Sequence, residues 1–374
     1  MAVTIFDIDV KLKPVLYRVD YNVPIVGGVV TDDFRIRQTI PTLDYLLREE
    51  AKVVIISHLG RPGGKYDAAF SLRPVAQHLL TYYSKVQINV TDALFGDEIL
   101  QALQKMKPGS IFMLGNTRFY PEEEAGDFQF ARRLTHLGEV FVSDAFGVSH
   151  RKDATVAELP KMMDAYPGAL MTAEVAALSR LRDHPKTPFC ALVGGAKLET
   201  KVSLLKSLAT RADYILLGGA IANTFAKAAG QDVGQSYVED QHVTIARELM
   251  ATAGEKIILP VDYIRDGRRD AWRNVDIGPK TIELFTPYLQ GSREILWNGT
   301  LGIAEEARFA NGTLAIAKLL TGVNGVVTVA GGDTVAFLEQ HRLITAYSFV
   351  STGGGAALAF VAGEPMPGLE ALNI

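Results

Sequence analysis

Only one cysteine, Cys190, occurs in the 374 residues, so no disulfide can form within the chain and a reducing compartment is its natural home. Set in the apolar run Phe189 to Val193, that thiol reads as a small buried hydrophobe. Long uncharged apolar stretches are also missing, and none nears the roughly 18 residues of a membrane-spanning helix. Charges at Asp7, Asp9, Lys11 and Lys13 break up the region where a signal peptide would be apolar, so the protein is expected to be soluble and cytoplasmic. There is no basic excess either. With 38 Lys+Arg against 42 Asp+Glu and a net charge of -4, nothing drives sequence-independent binding, and neither nucleic acid nor membrane is expected as a partner. The patterns G-x-x-x-x-G-K-[ST], G-x-G-x-x-G, H-E-x-x-H, G-x-S-x-G and C-x-x-C are absent. A P-loop NTPase, a dinucleotide fingerprint, a zincin and an α/β-hydrolase lose their main support.

What is present suits a folded α/β protein: 48% hydrophobic and 21% charged residues, in a chain long enough for two domains. Short β-branched or aromatic runs at Val15 to Val19, Val53 to Ile56, Ile111 to Leu114 and Val140 to Val142 alternate with helix-like stretches such as Pro41 to Glu49 and Leu72 to Tyr82. The second half repeats the plan with Phe189 to Val193, Tyr214 to Leu217, Ile257 to Leu259, Ile295 to Trp297, Val326 to Val329 and Phe349 to Val350. Runs this short and this apolar read as strands covered on both faces, so the expectation is an α/β fold of βαβ units with parallel sheets. Between the halves, a helical stretch Leu170 to Leu181 is bracketed by Tyr166-Pro167-Gly168 and by His184-Pro185 with Thr187-Pro188, as an interdomain connector would be. The run Gly363 to Gly368, with Pro365 and Pro367, is expected to lie over a surface.

In an open parallel sheet, ligands bind outside the carboxyl ends of the strands. In the first half those ends deliver Asp20, Asn22 and Arg35, then His58 and Arg61, then Asn116 and Arg118, then Asp144, His150 and Arg151. Arginine captures phosphate and carboxylate in a planar fork, so Arg35, Arg61, Arg118 and Arg151 on one rim point to a small, multiply anionic substrate, with Asp20 and Asn22 available to a hydroxyl. The alternative is four separate surface arginines paired to acidic neighbours such as Glu122 to Glu124 and Asp153.

The second half has a different chemistry. Gly194-Gly195-Ala196-Lys197, Gly218-Gly219, Gly299, Gly331-Gly332-Asp333-Thr334 and Gly353-Gly354-Gly355 follow the strand-like runs. Glycine lets backbone N–H groups approach a phosphate closely, and helix N-termini attract anions, so these turns read as a nucleotide phosphate site. Lys197 and Lys201, four apart at a helix start, are expected to share one face toward those phosphates. For Asp333 an N-cap and a Mg2+ contact are both open.

Taken together, these motifs resemble phosphoglycerate kinases. The resemblance runs from Val15 to Leu372 and rests on RVDYNVP from Arg18, SHLGRP from Ser57, SDAFGVSHR from Ser143, GGAKLETK from Gly194, LWNGTLGIAE from Leu296, GGDT from Gly331 and STGGGA from Ser351. It implies two doubly wound, Rossmann-like lobes: 1–168, binding 3-phosphoglycerate or 1,3-bisphosphoglycerate, and 185–355, binding ATP or ADP with Mg2+. A connector helix, 169–184, would join them, with 356–374 packing back on the first lobe and hinge closure preceding direct in-line transfer by a monomer. Position by position, it assigns Asp20, Asn22, Arg35, His58, Arg61, Arg118, His150 and Arg151 to the substrate. Gly195, Ala196, Lys197, Lys201, Gly219, Asn298, Glu305, Gly331, Gly332, Asp333 and Thr334 would take the nucleotide, with Glu305 on the ribose and Asp333 on the metal. Catalysis would fall to Arg35, Lys197, Lys201, Gly332 and Gly354. The sequence departs from the pattern at Gly115, where glutamate is common, at Thr300, where proline is, at Ala220 and Ala330, where glycine is frequent, and at Phe349, where histidine is frequent.

Overall fold

Each apolar run read from the sequence is a strand, shifted by no more than a residue or two at its ends. The computed structural model describes residues 3–268 and 271–374. Two compact units make up the chain: one runs to Ala176 and takes up Pro365–Ile374, and the other is Ala177–Glu364.

In the first unit, β1 (Pro14–Arg18), β2 (Lys52–Ser57), β3 (Ile88–Val90), β4 (Ile111–Asn116), β5 (Val140–Ser143) and β6 (Asp164–Pro167) form a six-stranded sheet in the order β3-β4-β2-β1-β5-β6. All its pairings are parallel. Residues of β2 and β4 are buried almost throughout, the pattern of strands covered on both faces. The two edge strands escape the sequence reading. β3 is three residues long and carries Asn89, while β6 ends in the Pro167 that reads as a breaker. Proline is tolerated there because an edge strand leaves one row of N–H groups unpaired. The first helix, Phe34–Arg48, starts before the expected Pro41, which sits in its interior.

The second unit contains β7 (Phe189–Val193), β8 (Tyr214–Leu217), β9 (Ile257–Ile258), β10 (Glu294–Asn298), β11 (Val326–Ala330) and β12 (Phe349–Val350). Its parallel sheet has the order β9-β8-β7-β10-β11-β12. Numbered within the unit this is 3-2-1-4-5-6, the doubly wound order, with its switch point between β7 and β10. A separate antiparallel hairpin pairs Tyr263–Arg268 with Ala271–Ile277. No described helix is long and apolar enough to cross a membrane.

The stretch expected as a connector, 169–184, is the helix Ala169–Asp183, and the division between units falls inside it. Its first turn is held by Thr42 Oγ1, which accepts the Ala169 N–H at 2.8 Å, and by Asp144 Oδ1, which accepts the Met171 N–H at 2.9 Å. The returning segment begins at Pro365 instead of 356, because the apolar helix Gly355–Ala362 belongs to the second unit. Gly363 to Pro365 are exposed, as expected of a surface run, and the chain packs down from Met366 on. Pro367 opens the short helix Pro367–Ala371, Leu369 and Leu372 are buried, and Gly368 N–H donates to Ser149 O at 2.9 Å.

Gly115 has a packing reason. A Cβ there would lie 2.1 Å from the backbone oxygen of Asp92, in a turn pinned by Ser71 and Arg73 through the Asp92 carboxylate. Gly115→Ala is expected to destabilise the protein by about 1–3 kcal/mol through overpacking. Calorimetry reads this as a lowered melting temperature, and an unchanged one would show that the turn at Asp92 yields.

Candidate functional site

In the first unit, side chains after β1, β2 and β4 meet in one network. The buried Asp20 carboxylate accepts from Arg35 Nη1 at 2.7 Å, and its other oxygen lies 3.7 Å from His58 Nε2. Asn22 Oδ1 accepts the Gly60 N–H at 2.9 Å, and the Gly60 carbonyl accepts from Arg118 Nη1 at 3.0 Å. Arg118 also reaches Asp153 at 3.4 Å and Glu124 at 3.6 Å. Burial raises the Asp20 carboxyl, but Arg35, His58 and Arg18 outweigh it and hold the group below its ordinary value. For His58 burial dominates: opposed by Asp20 and aided by Arg18, Arg118 and Arg35, it pushes the imidazole well below its usual range. Arg35 and Arg118 thus have acidic partners, but within one network and, for Arg118, in the interior, not as separate surface arginines. Arg61, which is exposed, and Arg151, half-buried with an Nε that makes no hydrogen bond, have no acidic partner of this kind. No carboxylate pairs with either among the described residues. His150 is half-buried beside Arg151.

Two residues differ from their sequence reading. Asp144 is no rim group: buried, it accepts from Tyr17 Oη and Thr42 Oγ1, both at 2.6 Å, besides its contact with the connector helix. Arg18 was not singled out, yet it is fully buried behind the site, donating to Thr155 Oγ1 at 2.9 Å with Nη2 3.4 Å from His58 Nδ1 and 3.9 Å from Glu123. The signal available was a lone charge closing the apolar run of β1.

In the second unit, the site gathers where β7 and β10 part. Gly195 N–H donates to Thr300 O at 2.7 Å, and Gly219 N–H donates to Leu301 O at 2.9 Å. Lys201 Nζ lies under these turns and donates to Gly194 O; a Cβ at Gly299 would lie 2.7 Å from that nitrogen. Burial lowers the Lys201 ammonium to about 8, with Asp333 opposing. The shared face expected for the two lysines is not found. Residues 199–201 form a 3-10 turn and not an α-helical one, so Lys201 is buried while Lys197 is exposed.

The N-cap reading of Asp333 is also corrected. Gly331 holds the cap position of the helix Gly332–Gln340, leaving Asp333 exposed in the first turn. Asn298 and Thr334 are buried and tie the turns together: Asn298 Nδ2 donates to Ala330 O at 2.7 Å, and Thr334 Oγ1 accepts the Gly299 N–H at 2.8 Å. Gly354 caps the helix Gly355–Ala362.

A cleft of about 760 Å³ opens on these turns. Gly195, Ala196, Lys197, Gly219, Glu305 and Asp333 line it, while Lys201, Asn298, Gly331, Gly332, Thr334 and Gly354 are not part of its lining. Its far wall comes from Tyr263, Asn274 and Asp276 of the hairpin and from Asn223, none of which the sequence reading singled out. That wall follows no strand-to-glycine signal.

A family model described as phosphoglycerate kinase matches residues 5–364. The chain belongs to the phosphoglycerate kinase family. It is 40% identical to the phosphoglycerate kinase of Pelotomaculum thermopropionicum over 99% of this chain and 98% of that protein. The solved phosphoglycerate kinase of Coxiella burnetii matches with a TM-score of 0.86 at 34% identity, covering 100% of this chain and 99% of that one. That of Pyrococcus horikoshii matches with 0.90 at 29% identity, covering 100% and 98%. Of the departures from the family pattern, Ala220 and Thr300 line the cleft, while Ala330 supplies the carbonyl that holds Asn298.

His58 gives a linkage test. It stays neutral in the fold, whereas in the unfolded chain it takes up a proton below pH about 6.5. Stability is therefore undiminished by this group above that pH and is lost as pH falls below it. His58→Gln is expected to lose less melting temperature than the parent between pH about 7.5 and about 5. Equal losses in both proteins would remove His58 as the cause.

Proposed function

We propose that this enzyme passes the 1-phosphoryl group of 1,3-bisphosphoglycerate to ADP, reversibly, giving 3-phosphoglycerate and ATP. One observation carries the reading: at the carboxyl ends of the parallel strands the first unit gathers arginines and histidine while the second presents glycine-rich turns with lysines. In the first, the unpaired Arg61 and Arg151 and the networked Arg35 and Arg118 suit phosphate and carboxylate groups, with His58 and His150 beside them. Asp20 and Asn22 are left for the substrate hydroxyl. In the second, the turns at Ala196, Gly331, Gly332 and Gly354 bring backbone N–H groups to the nucleotide phosphates, Gly195 and Gly219, whose own N–H groups are taken by backbone carbonyls, let the chain approach them closely, and Lys197 and Lys201 add charge while Asn298 and Thr334 brace the turns. Glu305, on the cleft, takes the ribose hydroxyls. We take the enzyme to act as a monomer in the cytoplasm, where a lone buried thiol stays reduced.

Asp333 is the residue we assign to Mg2+. Magnesium is commonly held by one or two carboxylates together with substrate phosphates, and an exposed carboxylate in a helix's first turn, within electrostatic reach of Lys201, fits that role. Bound there with the nucleotide, the ion would neutralise charge on the phosphate oxygens. The chain's own groups align the ligands and stabilise charge; a loose phosphoryl transfer needs no protein nucleophile.

A coupled assay for ATP-dependent consumption of 3-phosphoglycerate tests the reaction, and no turnover would overturn it. Arg35, paired with Asp20 and close to the acyl phosphate in this reading, acts chiefly in the transition state. Arg35→Ala is then expected to lower kcat by roughly 10^3 to 10^5 with little change in KM for 3-phosphoglycerate; a near-normal kcat sinks the assignment. Asp333→Asn is expected to raise the Mg2+ concentration needed for half-maximal rate, and an unchanged Mg2+ titration would free Asp333 of that role.

A further inference from the structure

The turn that carries Lys197 is held from behind by a carboxylate that no motif marks. Glu239 is 4% exposed and caps the 3-10 turn Asp240–His242. Its Oε2 accepts two consecutive backbone N–H groups, that of Leu198 and, at 3.3 Å, that of Glu199. Its own N–H donates to Thr224 Oγ1 at 3.2 Å. Thr224 is buried on the helix Gly219–Ala228, whose first residue lines the cleft. Oε1 lies 3.9 Å from His242 Nδ1, and no lysine or arginine pairs with this carboxylate among the described residues. A buried carboxylate is stabilised when it accepts backbone N–H groups, and here those donors belong to a site loop.

The peptide group that offers the Leu198 N–H is the one that joins it to Lys197. Fixing that plane, with Leu198 itself fully buried, fixes the direction in which the Lys197 side chain leaves the backbone, and Lys197 lines the cleft. We propose that Glu239 is a positioning residue for nucleotide binding: by holding the Leu198 and Glu199 N–H groups it aims Lys197 into the cleft. This rests on the reading of Lys197 as a phosphate contact. Glu239 touches no ligand itself. It joins the turn after β7 to the helix after β8, so the two walls that bear Lys197 and Gly219 keep a fixed spacing.

Steady-state kinetics with ATP and 3-phosphoglycerate on the full chain test the idea. Glu239→Ala is expected to raise the KM for ATP by roughly tenfold or more, the scale of losing a hydrogen bond to a charged group. The KM for 3-phosphoglycerate, assigned to the other unit, should move by less than about twofold. Glu239→Gln keeps the size and one acceptor oxygen, so it should recover most of the ATP affinity, and it serves if the alanine variant does not fold. Because Glu239 acts through Lys197, the ATP losses of Lys197→Ala and Glu239→Ala should fall short of additive in the double variant. If Lys197→Ala raises the ATP KM while Glu239→Ala leaves it unchanged or lowers it, the proposal is overturned and the Lys197 reading stands. Fully additive losses, or a fall in kcat and melting temperature with neither KM changed, also overturn it. An unchanged ATP KM in Lys197→Ala overturns the Lys197 reading instead and takes this proposal with it.

Discussion

A parallel sheet covered on both faces leaves little room for charge within its strands, and that constraint organises both units. β7 is buried at every residue and wholly apolar, and β10, also buried throughout, carries its charged Glu294 and polar Asn298 at its two ends, so most polar groups of the second unit collect at or beyond the strand ends. Where the strand order reverses, adjacent helices leave in opposite directions and the backbone ends stay uncovered. The Gly194 and Gly299 turns lie at that reversal. The first unit obeys the same rule with a different strand order, and its side chains converge because Asp20, His58 and Arg118 each follow closely on a strand of one sheet.

The two units collect different groups at their strand ends, with different consequences. The first gathers guanidinium groups, and these must be kept from repelling one another. Carboxylates do this: Asp20 takes Arg35, and Asp153 takes Arg118. Glu123 stands near Arg18, though burial raises its carboxyl in spite of that cation. Buried ion pairs of this sort are weak stabilisers, since desolvation offsets much of the attraction, and their value lies in fixing orientation. The second unit has glycine-rich turns instead, whose backbone dipoles carry no net charge and need no counterion. Among the described residues Lys201 is the one buried lysine or arginine of that unit, and burial lowers its ammonium to about 8.

The fold was legible because apolar runs bounded by glycine turns are a local signal, and ten strands carried it. The edge strands β3 and β6 did not, being short and partly polar. Residues on the motifs were legible for the same reason: Arg35, His58, Lys197 and Asp333 all sit within a few residues of a strand end or helix start. What failed was geometry that depends on the exact turn. Lys197 and Lys201 share a face only if the intervening residues are α-helical, and a 3-10 turn separates them. Asp333 would cap its helix only if the helix began one residue beyond it, and it begins at Gly332.

The bracing contacts that the sequence does not show have a common physical origin. A strand-to-helix turn exposes more backbone N–H groups than a ligand can take up, and buried donors left without a partner are costly, so acceptors must come from elsewhere. Asp144 receives Met171 N–H, Thr334 receives Gly299 N–H, and Glu239 receives those of Leu198 and Glu199. Asp276 receives Gly312 N–H at 2.6 Å and Ile277 N–H at 2.9 Å, at the price of a carboxyl raised by burial to about 6. Several of these acceptors lie tens of residues from their donors in sequence, so no local pattern betrays the pairing. By occupying those N–H groups they hold each turn in one conformation and leave its remaining donors directed outward. The part of the site a sequence hides is therefore the part that holds its visible glycine turns in place.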